Sequence, residues 1–259
     1  MKRSIKTTAV LVAIIAFASM SFMAAKGVAL KLNLQKGETY TVTVKSNQNI
    51  VMNVQGQTMS QGMSSEQVGT LNVTDANTVI SKWESMLAKV STMGMELVYD
   101  SKNPDKTSPM MKAQVKPYED MLKQEAIYKY DEQGVQLSKN EEEVPVGPAQ
   151  SVIRELPKDE LVKGYTWEKE DTREAQGLSI KTNVTFTVKE VSKKAVIVDY
   201  VGVGEADEAK INYTGTLTFD IVKGIVVKDV NKSDISMSMS EQGIVIPIKI
   251  NGTTETVVK

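Results

Sequence analysis

From Val28 onward the chain alternates. Leu30, Leu32, Leu34, Tyr40, Val42 and Val44 are apolar, while Lys31, Asn33, Gln35, Thr39, Thr41 and Thr43 between them are polar. After a polar break the same face returns at Ile50, Met52 and Val54. A period of two marks strands with one face buried and the other in water. The stretch GTLTFDIVKGIVV, residues 215–227, belongs to the same pattern. Ile211, Tyr213, Leu217, Phe219 and Ile221 fall on one face, and Asn212, Thr214, Thr216, Thr218 and Asp220 on the other. Gly224 supplies a residue that tolerates positive φ at a short hairpin, and Ile225 starts the return strand. Further strands are expected at 178–191, 195–203, 235–239 and 244–250.

Three segments depart from this period. TSPMMKAQVKPYEDMLKQ at 107–124 predicts a helix started by Ser108 and Pro109 and ended or kinked at Pro117. GPAQSVIRELPKDELVKG at 147–164 predicts a short helix interrupted at Pro157. The run 77–90 is ambiguous: Val79, Trp83, Leu87 and Val90 fit a helical stripe, whereas the flanks favour strand. The acidic KNEEEVPVGP lies between the two helical segments and fits a linker.

The chain also resembles itself. QKGETYTVTV at 35–44 matches VKGYTWEKE at 162–170, each a Lys-Gly followed by an aromatic. IYKYDEQGVQLSKN at 127–140 matches LTFDIVKGIVVKDVN at 217–231 as strand, Asp, turn, Gly, strand. The expected layout is an N-terminal β half at 26–140, a linker with a short helix at 141–163, and a C-terminal β half at 164–259. The fold class is all-β and mainly antiparallel, a curved or barrel-like sheet in two related halves with one or two short helices. LKLNLQKGETYTV, VYDSKNP, LVKGYTW and GTLTFDIVKGIVV, in that order, resemble an exported β-rich family of unknown function from Bacteroidota. At the level of fold the organisation is also similar to the half-barrel carriers of lipoproteins in the periplasm. These landmarks are turns, so the resemblance implies a fold and an exported location but no functional residues.

Residues 1–25 change the picture of where the protein works. Lys2, Arg3 and Lys6 precede an uncharged stretch at 7–25 that ends in small residues at Ala24 and Ala25, the layout of a cleaved signal peptide. The alternative is an uncleaved anchor, since nineteen uncharged residues could just span a bilayer. Loss of those three basic residues takes Lys plus Arg from 31 to 28 against 32 Asp plus Glu, a net charge near −4. A nucleic-acid partner, which needs a basic face, is not expected. Nor is an integral membrane span once the signal is removed. The expected location is periplasmic, secreted or envelope-associated.

Chemistry is scarce. There is no Cys and no His, which removes the commonest metal ligand, general base and thiol nucleophile. No G-x-S-x-G or S-x-x-K occurs. Met237 and Met239 in SMSMS could offer two thioethers to a soft metal, but the spacing reads first as gap-filling core Met. Asp229, Asn231 and Ser233 have the spacing of a calcium loop, yet Asp234 stands where its glycine should be, and the segment reads as a solvated strand end. Trp167 beside Glu168 is the one hint of a sugar cleft. No enzyme, cofactor or metal site is therefore expected. The reading that remains is a non-catalytic envelope protein that binds an apolar ligand or a lipidated partner in the concave side of its sheet. Tyr40, Trp167, Tyr213, Met237 and Met239 are its candidate wall. The alternative is a structural or protein-interaction module with no small-molecule ligand. A carrier calls for a cavity, an interaction module for a closed core with a contiguous exposed apolar patch.

Overall fold

A computed structural model describes residues 27–54, 56–112, 115–138, 147–175, 178–206, 209–241 and 244–259. The expected signal peptide and most of the acidic linker lie outside the described residues. The alternating segments form one antiparallel sheet of eleven strands: β1 (Thr39–Val54), β2 (Gln57–Asp75), β3 (Thr78–Thr92), β4 (Met95–Asp100), β5 (Glu125–Lys129), β6 (Thr166–Ala175), β7 (Leu178–Val191), β8 (Ala195–Ala206), β9 (Ala209–Asp220), β10 (Val226–Glu241) and β11 (Ile244–Val258). Their order is β4-β3-β2-β1-β11-β10-β9-β8-β7-β6, with β5 paired to the other end of β3. Most neighbours are successive hairpins, so local turns fix their register. The β1–β11 seam differs, for it joins the two ends of the described chain from Val42↔Val258 to Met52↔Ile248. The all-β expectation holds, and the sheet is open rather than closed into a barrel.

The ambiguous run at 77–90 is strand β3. A bulge accounts for part of its helix-like spacing: Val68 pairs with Ser85 and Gly69 with Trp83, leaving Glu84 as an extra residue. Val90 thereby joins the face of Val79 and Trp83, while Leu87 faces the other way. The bulge moves the buried face from Val79, Ser81 and Trp83 to Met86 and Ala88. A period of two with one insertion looks like 3.6 over so short a window.

The helical segments are shorter and more divided than expected. Residues 107–124 hold two helices, α1 (Pro109–Lys112) and α2 (Lys116–Lys123). Pro117 lies in the first turn of α2, where no N–H is needed, and so begins a helix rather than ending one. Helix α3 (Ala149–Val152) is a single turn that stops well before Pro157. Among the described residues no helix is long and apolar enough to cross a membrane.

Segments 27–38, 130–138 and 147–165 pack on one face of the sheet at one end, here called the inner face. They close a core with two large clusters, one around Leu32, Leu34, Val42, Tyr128 and Ile225, the other around Leu30, Leu161, Val196, Leu217 and Phe219. The N-terminal segment stitches the clusters together. Val28 and Leu161 exchange bonds of 3.0 and 2.8 Å, and the Asn33 N–H donates to the Lys223 carbonyl at 2.9 Å. A third cluster, Met86, Ala88, Tyr99, Met111 and Val115, lies under α1 and its junction with α2. The two Lys-Gly turns are built alike. The Gly37 N–H donates to Val73 O (2.9 Å) and the Val73 N–H to Glu38 O (2.9 Å), while Gly164, Val188 and Tyr165 repeat the pair at 2.8 and 2.9 Å.

Candidate functional site

The strands run well beyond the core, and their register shows what the inner face carries there. One row crosses four strands as Ile211, Ile235, Ile250 and Ile50. The next is Met237, Ile248, Met52 and Met59. Ile246 opposite Met239 extends the band toward the hairpin ends. All of the side chains described in these two rows are half-buried except Ile248, which is buried at the band's centre by its neighbours. None belongs to any of the three buried clusters. The opposite face of the same strands is mostly polar, with surface ion pairs such as Lys45–Glu66 (3.4 Å) and Lys228–Glu255 (3.0 Å). The band is therefore an apolar surface on the side of the core, beyond the core's edge.

Between core and band lies a polar row. Tyr200, Gly215, Asn231, Thr254, Ser46 and Ser65 follow one another across β8, β9, β10, β11, β1 and β2. The Tyr200 hydroxyl donates to Asp229 Oδ1 at 2.9 Å and accepts from Asn231 Nδ2 at 2.8 Å. Thr254 Oγ1 donates to Ser46 Oγ at 3.4 Å. Arg154, from the segment after α3, brings a terminal nitrogen to 3.6 Å from Asp229 Oδ2. Aromatic rings continue the row toward the β6 edge: Trp167 stacks on Phe186 at 4.9 Å, and Phe186 meets Tyr200 at 5.9 Å. Tyr213 follows at 6.2 Å, edge-on to Tyr200. The rings of Tyr200 and Tyr213 lie over Gly215 and Gly202, where any Cβ would collide with them.

Asp229 is 8 % exposed, so the solvated strand end expected from sequence is corrected here: this carboxylate is buried under Arg154 and Tyr200. Burial pushes its carboxyl above the ordinary value, while Arg154 and the Tyr200 hydroxyl pull part of the way back. A raised folded-state value means stability from this group is present below the ordinary carboxylate range and is lost as pH rises through the raised value. Asp229→Asn keeps an acceptor for Tyr200 and removes that loss. Its Tm is expected to exceed wild type at neutral pH by an amount worth no more than about 1 kcal/mol, and the advantage should vanish in acid. Thermal melts across this pH range check both signs; a variant destabilised equally at every pH would contradict the account.

The five residues proposed from sequence do not form one site. Tyr40 is at the core end of β1, donating its hydroxyl to Glu38 Oε2 at 2.8 Å, ten residues from Ile50 along the same strand. Trp167 and Tyr213 belong to the aromatic row. Met237 lies in the apolar band and is half-buried, not a core methionine. Met239 holds the next inner-face position of β10, opposite Ile246; its side chain lies outside what is described. Trp167 and Glu168 are adjacent in β6 and face opposite ways, which separates the one aromatic–carboxylate pair. Sequence reasoning misses the isoleucines of the band. Their signal is present in the phase that Ile50, Met52 and Val54 share with Val42, but only strand register assembles them. Two shallow depressions, one beside Lys45, Glu66 and Lys89 and one beside Asn49, Lys232 and Asn251, are lined mostly by residues with polar side chains.

No protein-family model matches the chain, and no curated protein matches it. Among solved structures, lipovitellin, from a study of lipid–protein interactions, is similar over 87 % of this chain at 11 % identity with a TM-score of 0.49; this chain spans 25 % of that one. The translocator domain of the autotransporter NalP from Neisseria meningitidis aligns over 97 % of both chains at 9 % identity with a TM-score of 0.21. At these distances neither bears on what this chain binds, and neither adds support for the exported family or the lipoprotein carriers.

Proposed function

We propose that this chain is a non-catalytic, exported envelope protein whose Ile/Met band binds the acyl chain of a lipid or of a lipidated partner. One observation carries the reading: a contiguous apolar band crosses β9, β10, β11, β1 and β2 beyond the edge of a core that is already closed. Folded monomers bury such bands or use them. Methionine at Met52, Met59 and Met237 suits a surface that re-packs around varied apolar groups. The exported location rests on the leader layout of residues 1–25.

A second reading is favoured by one feature, that the band is an open surface and not a chamber. A protein partner or a second copy could cover it instead. Native mass spectrometry of the mature protein, with organic extraction and titration of a fluorescent fatty acid, separates the two. A co-purifying acyl species, or saturable uptake of one probe per chain that Met237→Ser weakens, supports acyl binding. A clean apo mass with no uptake sinks it and leaves the protein partner.

A further inference from the structure

Resting on acyl binding at the band, we propose that the polar row selects the head group, and that the ligand is a single-chain amphiphile whose head is uncharged and hydroxylated, an acylglycerol being the simplest. The row lies two inner-face positions along the strands from the isoleucines, with one row between. From Asn231 to Met237 on β10 is six residues, roughly 20 Å at about 3.4 Å each, so an acyl chain laid along the strand on the band brings its head to Asn231, Thr254 and Ser46. The intervening row holds the small Ser233 and Gly252 between Tyr213 on β9 and Gln48 on β1, so the low path follows β10 and β11.

Charge complementarity names the head. Asn231, Thr254, Ser46 and Ser65 are amides and hydroxyls. The Asn231 amide N–H goes to Tyr200 and the Thr254 hydroxyl to Ser46. That leaves the Asn231 side-chain carbonyl oxygen to accept and the Ser46 proton to donate outward, the pairing that a glycerol hydroxyl and an ester carbonyl require. Among the described side chains, Arg154 faces the Asp229 carboxylate at 3.6 Å, and Lys169 on the β6 flank is held by Glu155 at 2.7 Å. A carboxylate head would therefore approach a row whose flanking Arg154 and Lys169 already face carboxylates, with Asp229 behind it. Desolvating such a head without a partner is costly, whereas an uncharged one exchanges water for matched hydrogen bonds.

The experiment displaces a fluorescent acyl probe from the full mature chain with monomyristoylglycerol and, separately, with myristate. Both are used below their micelle concentrations, at mildly alkaline pH where the acid is ionised. The chains match, so only the heads differ. The glyceride is expected to bind about tenfold more tightly or better. A Ser46→Ala/Asn231→Leu/Thr254→Val variant, checked for an unchanged melt, should bring the two ligands to within about threefold by weakening the glyceride alone. Myristate binding as tightly as the glyceride, or a gap that survives in the variant, overturns the head-group assignment while leaving acyl binding intact. If the probe binds but neither ligand displaces it, the head-group assignment falls alone; if the probe itself does not bind, acyl binding falls and the assignment falls with it.

Discussion

Gly224→Ala is expected to destabilise the protein by roughly 3–5 kcal/mol, a Tm loss on the order of 10 °C for a chain of this size. Gly224 has φ +67°, a region where an L side chain costs about 1–2 kcal/mol. The larger part is steric. A Cβ at this position would run into the Lys31 carbonyl and come within 2.8 Å of Leu32 N, which are backbone atoms and not a side chain able to turn away. The turn itself is held by Asp220, whose carboxylate accepts the Val222 and Lys223 N–H groups at 2.7 and 3.0 Å. The N-terminal segment is laid directly on it, through Asn33 N–H to Lys223 O at 2.9 Å. Displacing that segment opens both large clusters, since Leu30 belongs to one and Leu32 to the other. Gly37→Ala is the control. Gly37 has φ +90° with nothing within 4 Å of a Cβ, so only the backbone cost of about 1–2 kcal/mol is expected. Chemical or thermal unfolding of the two variants side by side checks this, and equal losses would contradict the docked role of Gly224.

The second large effect is on binding. Ile50→Thr with Ile250→Thr should weaken an acyl probe by roughly 30- to 100-fold, about 2–3 kcal/mol for two apolar contacts replaced by hydroxyl-bearing ones. The pair is chosen because Ile50 and Ile250 are register partners across the β1–β11 seam, at the centre of the band. Thr preserves β-branching and strand preference, so the sheet should keep its fold. Val201→Thr with Val203→Thr makes a related apolar-to-hydroxyl change on the opposite face, where the two side chains are 59 % and 50 % exposed. Probe affinity there should not move. Equal weakening by both pairs, or by neither, would remove the band as the binding surface.

Much of the fold is legible in the order of residues alone. The alternation of Leu30 to Val44 and of Ile211 to Ile221 marks strands and their phase, and the Lys-Gly and Asp-turn-Gly pairs mark their turns. Even the polar row leaves a trace, because Ser46 and Gln48 interrupt the apolar phase between Val44 and Ile50. The extra residue at Glu84 is not legible, since one insertion in a period-two strand imitates helical spacing and only the partner strand shows it as a bulge. Pro117 misleads for a related reason: proline forbids a helix interior but suits a first turn, and which applies depends on where the chain breaks.

Residue order alone marks an all-β chain with a poor catalytic inventory and one apolar face per strand, and leads to the expectation of export, because strand period, leader layout and residue chemistry are local properties. Folding makes Ile50 and Ile250 neighbours, buries Asp229 beneath Arg154 and sets Tyr40 and Met237 far apart. Those facts depend on which strands pair and in what register. A period of two says which way a side chain points, never what lies beside it.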